Sequence, residues 1–104
     1  MAEQLENAAI SSVNLSEVIQ QSIRRSVEVA GMREDLEELG LAILPFTADD
    51  AGSAANLWPV TRRLGLSFGD RACLALARRL ALPVITADKV WSQLDIGIPV
   101  HVIR

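Results

Sequence analysis

Three acidic side chains stand where a parallel sheet would bring them to one edge: Glu17, Asp70 and Asp88. Glu17 falls in the first turn of the helix predicted after a strand at 8–13. Asp70 starts a helix after the loop at 65–69, and Asp88 follows a buried strand at 82–86. Because ligands of open parallel sheets gather outside the carboxyl ends of the strands, we expect these carboxylates to converge.

A cluster of carboxylates without histidine or cysteine partners suits a hard divalent cation, Mg²⁺ or Mn²⁺. Such an ion assists phosphodiester hydrolysis by activating water and by offsetting charge on the phosphate oxygens. Each acid alone has a second interpretation, because the helix macrodipole favours acids in a first turn. Asp49 and Asp50 follow the candidate cap Thr47, and we interpret both as cap residues.

The composition excludes several classes of protein. The chain has 104 residues, half of them apolar and 22% charged, which predicts one packed domain rather than a disordered chain. The net charge of −3 argues against a basic nucleic-acid coat, although a local basic patch stays open. A single cysteine, Cys73, excludes an internal disulfide and a multi-cysteine metal site. Without a targeting signal or a long apolar segment, we expect a cytoplasmic protein and no membrane partner.

The aromatic residues argue against one kind of nucleic-acid site, and the paired arginines leave two interpretations open. Tyrosine is absent, with two Trp and two Phe, which argues against a stacking platform for nucleic acid. We interpret Trp58 and Trp91 as packing residues. Arginine pairs occur on or near helix ends, at 24–25, 62–63 and 78–79. In one interpretation these arginines keep the protein soluble and complement the dipoles of the helices. In the other they contact phosphates of RNA or acidic residues of a partner.

Hydrophobic periodicity predicts strands that alternate with helices, and hence an α/β fold with a parallel sheet. After the first strand, we predict a helix that is capped by Ser12 or Asn14 and ends near Gly31. We next predict a helix at 33–39 that Gly40 ends, and a strand at 41–46 that is covered on both faces. A helix from Thr47 follows, which Pro59 divides or kinks. The last predicted elements are a helix at 71–80, a short helix at 90–94 and a strand at 100–103.

Three segments resemble the motifs of PIN-domain ribonucleases. Ile10–Val18 resembles the motif of the second acid, Leu64–Ala77 that of the third, and the segment from Leu82 to Trp91 that of the fourth. The resemblance extends from about Leu5 to Arg104. The second and third motifs together look most like the VapC-type toxins of bacterial toxin–antitoxin pairs.

The resemblance implies a PIN-like three-layer α/β/α sandwich over a single domain, 1–104. It also implies an endoribonuclease that depends on Mg²⁺ or Mn²⁺ and cuts structured RNA, with an antitoxin partner and a homodimer. Its site residues here would be the metal-binding acids Glu17, Asp70 and Asp88, the orienting hydroxyl of Thr86 and the supporting amide of Asn14. Arg71, directly after Asp70, is our candidate for an RNA contact.

One part of the family pattern has no counterpart in the sequence. The family begins with a central strand that ends in the first metal-site acid, and nothing before Glu17 matches it. We therefore expect a weaker metal site and unpaired edges on the strands at 8–13 and 82–86. Three explanations are open. The start of the sequence is assigned too late, which we favour, or the gene has decayed, or another chain supplies the strand. The alternatives to an enzyme are a binding module without catalysis and a plain α/β domain whose acids only cap helices.

Overall fold

The computed structural model describes residues 8–86 and 89–102, which form two compact units, one ending at Phe46 and the other beginning at Thr47. The first unit contains strand β1 (Ala9–Ser11), helix α1 (Ser12–Arg24), helix α2 (Met32–Glu38) and strand β2 (Ala42–Leu44). The second contains helices α3 (Ala48–Asn56), α4 (Trp58–Thr61) and α5 (Phe68–Leu80), strands β3 (Val84–Thr86) and β4 (Val100–Val102), and 3₁₀ turns at Arg62–Leu64 and Lys89–Gln93. The single domain over 1–104 stays a prediction.

The first unit is a parallel β–α–β arrangement. β1 pairs with β2 in parallel, and Ser11 lies opposite Leu44. The buried Ser11 ends the strand and also caps α1, because its Oγ accepts the N–H of Val13 at 3.1 Å. The Oγ of Ser12 instead accepts the N–H of Phe46 at 3.0 Å, which ties the start of α1 to the segment after β2. The predicted caps Ser12 and Asn14 were therefore wrong by one and three positions.

Helix α1 ends at Arg24, which corrects the prediction that it continues to Gly31. Ser26 adopts a left-handed conformation with φ 60°, and the N–H of Val27 returns to the carbonyl of Ser22 at 2.8 Å. This is a Schellman ending, which satisfies the last carbonyls of the helix. The β-branched Val27 and Val29 beyond it disfavour continued helix. Gly40, at φ 98°, does end the next helical segment, as predicted.

The second unit places α5 at the centre of its core. β3 and β4 pair in parallel, with Val84 opposite Val100. The buried side chains of this core are Leu57, Leu74, Ala77, Val84, Trp91 and Ile98, and Cys73 packs at its margin. Pro59 divides the preceding helical segment into α3 and α4, as predicted. The parallel strands of both units confirm the predicted α/β class, but Ala42 of β2 is exposed, so the expected cover on both faces of that strand was wrong there.

A partly buried ion pair joins α3 to α5. Arg79 Nε donates to Asp50 Oδ1 at 2.9 Å, and Arg79 Nη2 donates to Asp50 Oδ2 at 3.1 Å. Asp50 also closes a capping box with Thr47, because each backbone N–H donates to the other residue's side chain at 3.1 Å. Burial would raise the pKa of Asp50, but the bonds from Arg79 and Thr47 outweigh it and hold this pKa below its usual value. Asp50 is therefore a cap residue, as expected, and in addition an anchor for α5.

Substituting Arg79→Met leaves the Asp50 carboxylate buried at 2% exposure without its cation. We expect the free energy of unfolding at neutral pH to fall by about 3 kcal/mol, the low end for a broken buried pair because Arg79 is partly solvated. Urea unfolding measures it. The matched control is Arg78→Met, which removes a neighbouring arginine whose Nη2 donates to the carbonyl of Ile96. Equal stability of the two variants would contradict the role of the pair.

The same pair predicts a pH dependence. Since the folded pKa of Asp50 is lowered, its stabilising contribution is present above the unfolded pKa of about 3.9 and is lost as the pH falls through the folded pKa. The difference in stability between the native chain and Arg79→Met should therefore shrink from neutral pH toward about pH 3. Urea unfolding across that range measures the difference, and a gap that stays constant would contradict this assignment.

Candidate active site

Glu17 lies on an exposed face of α1, supported by its neighbour one turn earlier. Asn14 Nδ2 donates to Glu17 Oε1 at 3.1 Å. Because Ser11 caps the helix, Glu17 falls in the second turn, and the predicted first-turn position was wrong. Its second oxygen, Oε2, accepts no hydrogen bond from the described residues, so it can still bind a ligand.

An open groove of about 500 Å³ follows this face of α1. Its lining residues are Asn14, Glu17, Val18, Gln21, Ser22, Arg25 and Val27. Glu17 and Arg25, the residue that follows the last turn of α1, are eight residues apart, which corresponds to about 12 Å along a helix axis. The lining between them consists of Val18, Gln21 and Ser22, and Val27 lies beyond Arg25; both valines are exposed. The predicted pair Glu17 and Asn14 therefore borders a concave surface.

Asp70 occupies the third position of α5, where it completes a capping box with Ser67. Ser67 N–H donates to Asp70 Oδ2 at 2.8 Å, and Asp70 N–H donates to Ser67 Oγ at 3.2 Å. The helix consequently begins at Phe68, three residues before the predicted start. The pattern Ser67-x-x-Asp70 is the sequence signal for this start. Asp70 Oδ1 has no hydrogen-bond partner in the described part of the chain and is available to a ligand.

The structure describes only part of the remaining predicted site residues. Asp88 and the side chain of Thr86 lie outside the described residues, and the backbone of Thr86 ends β3. Glu17 and Asp70 belong to different compact units. Within 8–86 and 89–102, no group of three or more His, Cys, Asp or Glu side chains could hold a metal ion. The convergence of the three acids stays a prediction.

Arg71, the candidate for an RNA contact, ties α5 to α3. Its Nη1 donates to the carbonyl oxygen of Ala54 at 3.0 Å, and its guanidinium lies 5.6 Å from the centre of the Phe68 ring. Phe68 is 49% exposed, although it starts the helix that carries the core. Arg71 thus has a structural role, and its contact with RNA stays a prediction.

The two tryptophans have opposite environments. Trp91 is 6% exposed and packs in the core of the second unit, which confirms it as a packing residue. Trp58 is 50% exposed, and the guanidinium of Arg62 lies 4.9 Å from its ring centre. The packing interpretation of Trp58 was therefore wrong. The available signal was the spacing of Trp58 and Arg62, four residues apart around the helix break at Pro59.

Comparison with known proteins establishes the family of this chain. The family model of the PIN domain matches residues 1–97. This chain belongs to the PIN-domain family. The fold is also similar to a solved structure described as a "Toxin-antitoxin complex from Klebsiella pneumoniae", with a TM-score of 0.63 and 23% sequence identity. That match covers 86% of this chain and 70% of the other. No curated protein sequence matches the chain.

Membership confirms the predicted PIN fold and family. In this PIN domain, the motif of the second acid covers the turn from β1 into α1, and that of the third covers the Ser67 cap and most of α5. Among the helices that the structure describes, none has the length and apolar character to cross a membrane.

The capping geometry predicts different costs for two substitutions of Asp70. Asp70→Asn keeps a side-chain oxygen for the N–H of Ser67 and should change stability by only a few tenths of a kcal/mol, whereas Asp70→Ala should cost about 1 kcal/mol. Urea unfolding distinguishes them. Asp49→Ala, an exposed acid in the first turn of α3, serves as the control. Equal losses for the Asn and Ala variants would show that the capping bond does not fix the Asp70 side chain.

Proposed function

We propose that this PIN domain is a metal-dependent endoribonuclease of the toxin–antitoxin type, with similarity to the VapC branch, that hydrolyses RNA phosphodiesters. One observation carries the proposal: two motif acids, Glu17 and Asp70, are each oriented through one oxygen by a local hydrogen bond while the other oxygen accepts no bond from the described residues. Oriented carboxylates with an open oxygen are suited to hold a cation.

The donor set fits Mg²⁺ or Mn²⁺, because both acids supply hard oxygen ligands. The bound ion would activate water and offset charge on the phosphate. The Ser67 N–H holds the Asp70 carboxylate against rotation, and the amide of Asn14 does the same for Glu17. Asp88 would supply the third carboxylate and Thr86 a hydroxyl beside it. Arg71 would contact RNA beside Asp70.

We infer an antitoxin as the partner, and a homodimer in the cytoplasm as the working form. A solved structure with a similar fold is described as a toxin–antitoxin complex, which supports the antitoxin partner. The groove on α1 gives an antitoxin a place to act, because a segment lying along it would cover Glu17. Blocking an exposed carboxylate would stop metal binding without unfolding the toxin.

A second candidate is a binding module without catalysis, which contacts an antitoxin or a second copy of the chain. The local bonds of both acids favour it, because a capping box explains Asp70 and a side-chain pair explains Glu17 without any metal. The two candidates differ in whether the open carboxylate oxygens bind an ion.

Metal-dependent cleavage of RNA separates these candidates. The purified chain should cut a pool of transfer and ribosomal RNA in Mn²⁺ or Mg²⁺ and be inactive in EDTA. Glu17→Gln and Asp70→Asn should each lower the rate by at least about 100-fold, since each removes a charged ligand yet keeps the side-chain shape. Asp49→Asn, which removes an exposed acid of another helix, should keep the native rate.

Two results would contradict the nuclease proposal. One is cleavage by Glu17→Gln at the native rate, which would assign the activity to other residues or to a contaminant. The other is a folded native chain that cuts none of these RNAs in either ion but binds a co-expressed antitoxin tightly, which would favour the binding module.

A further inference from the structure

We propose that four side chains of the second unit bind a single-stranded segment of RNA beside Asp70. They form the arginine–aromatic surface, defined as Trp58, Arg62, Phe68 and Arg71. Bases would stack on the two rings, contrary to the expectation that we drew from the low aromatic content, while the guanidinium groups contact phosphates. The inference rests on the proposed function for its substrate, but it concerns binding and is independent of the cleavage step.

Each ring of this surface is half exposed and has a guanidinium over one face. Trp58 is 50% exposed beneath Arg62, and Phe68 is 49% exposed beside Arg71. A guanidinium that covers part of a ring restricts its rotation, while the exposed part can receive a base. Stacking between a base and an aromatic ring tolerates any base, which suits recognition of unpaired RNA.

A hydrogen bond joins the stack of Phe68 and Arg71 to α3, the helix that precedes Trp58. Arg71, which contacts Phe68, also donates to the carbonyl of Ala54. Ala54 stands four residues before Trp58, about 6 Å along a helix axis. Thr61 holds the turn between them, because its Oγ1 donates to the carbonyl of Leu57 at 2.8 Å and its carbonyl accepts the N–H of Leu66 at 3.3 Å. The two elements that carry the rings, α4 and α5, are therefore each bonded to α3 or to its last residues.

The local charge favours a polyanion over a second copy of this chain. Residues 57–71 contain three arginines, Arg62, Arg63 and Arg71, and one acid, Asp70, whereas the whole chain has a net charge of −3. Arginine is the side chain best suited to phosphate oxygens, which it binds through paired N–H groups. A second copy that docked through this same surface would bring the same arginines to it and would be repelled. Asp70 shares the first turn of α5 with Phe68, so an RNA strand bound here passes the proposed metal-site acid.

Tryptophan fluorescence provides a direct test. The full chain is titrated in EDTA, where metal-dependent cleavage is suppressed, with an oligoadenylate of about eight nucleotides. The chain has two Trp, one buried and one exposed, so we expect RNA to quench Trp58 and leave Trp91 unchanged. Trp58→Leu should abolish the quench and weaken binding, measured by anisotropy of labelled RNA, by about tenfold. Phe68→Leu should weaken binding similarly, and Trp58→Phe should restore most of the affinity.

The arginines have their own test and control. Arg62→Gln should weaken binding and lower the slope of log affinity against log salt by about 1, the loss of one phosphate contact. Arg33→Gln removes an equal charge from an exposed ion pair with Glu37 in the first unit and should change neither quantity. The emission of the buried Trp91 reports that each Trp58 variant is folded.

Three results would overturn the inference. The first is unchanged RNA affinity in Trp58→Leu and Phe68→Leu. The second is an equal loss in Arg33→Gln, which would indicate only general electrostatic attraction. The third is a change of Trp58 emission with protein concentration in the absence of RNA, which would assign the surface to a second copy. Cleavage that persists in Trp58→Leu with unchanged affinity would refute this inference alone. If RNA binds and quenches the fluorescence of Trp58 but the chain never cuts RNA, only the nuclease proposal is refuted.

Discussion

The second unit depends on the ion pair between Asp50 and Arg79. It is the point at which the first turn of α3 is bonded to the last turn of α5 through two hydrogen bonds. α5 carries the core residues Leu74 and Ala77 on one side and Asp70 with Phe68 and Arg71 at its start. Holding α3 against α5 therefore fixes both the core of this unit and the helix that carries Asp70. The capping box of Asp50 adds to this, because it prevents the carboxylate from rotating away from Arg79.

Helix capping links local folding to function in this chain. Ser11 ends a strand and starts the helix of Glu17, while Ser67 and Asp70 together start α5. Asp70 has two roles, because one oxygen stabilises the helix and the other faces no described partner. A carboxylate that is already oriented loses little freedom when it binds an ion. The same geometry makes the binding-module alternative physically reasonable, since the cap would persist if catalysis were lost.

The sequence predicted the class, the parallel strands, the start of α3 and the end of α2, because these depend on local patterns such as Thr47 with its first-turn acids or Gly40 after a charged helix. It failed where a residue's role depends on distant contacts. The partner of Asp50 stands twenty-nine residues away, so its ion pair was invisible in the local pattern. Trp58 was interpreted as a packing residue, whereas it lies half exposed with the guanidinium of Arg62 over its ring. The motifs indicated the site residues, but spacing alone could not establish the convergence of acids from three separate segments.

The most direct test of the proposed metal site is calorimetric titration of the purified, folded chain with Mn²⁺, beside Asp70→Asn. We predict saturable binding that the variant abolishes while its unfolding transition stays close to that of the native chain, because Asn keeps the cap and loses only the charge. No binding by a demonstrably folded native chain would contradict the proposal. Equal binding by the native chain and the variant would also contradict it, since the ion would then be held by groups other than Asp70.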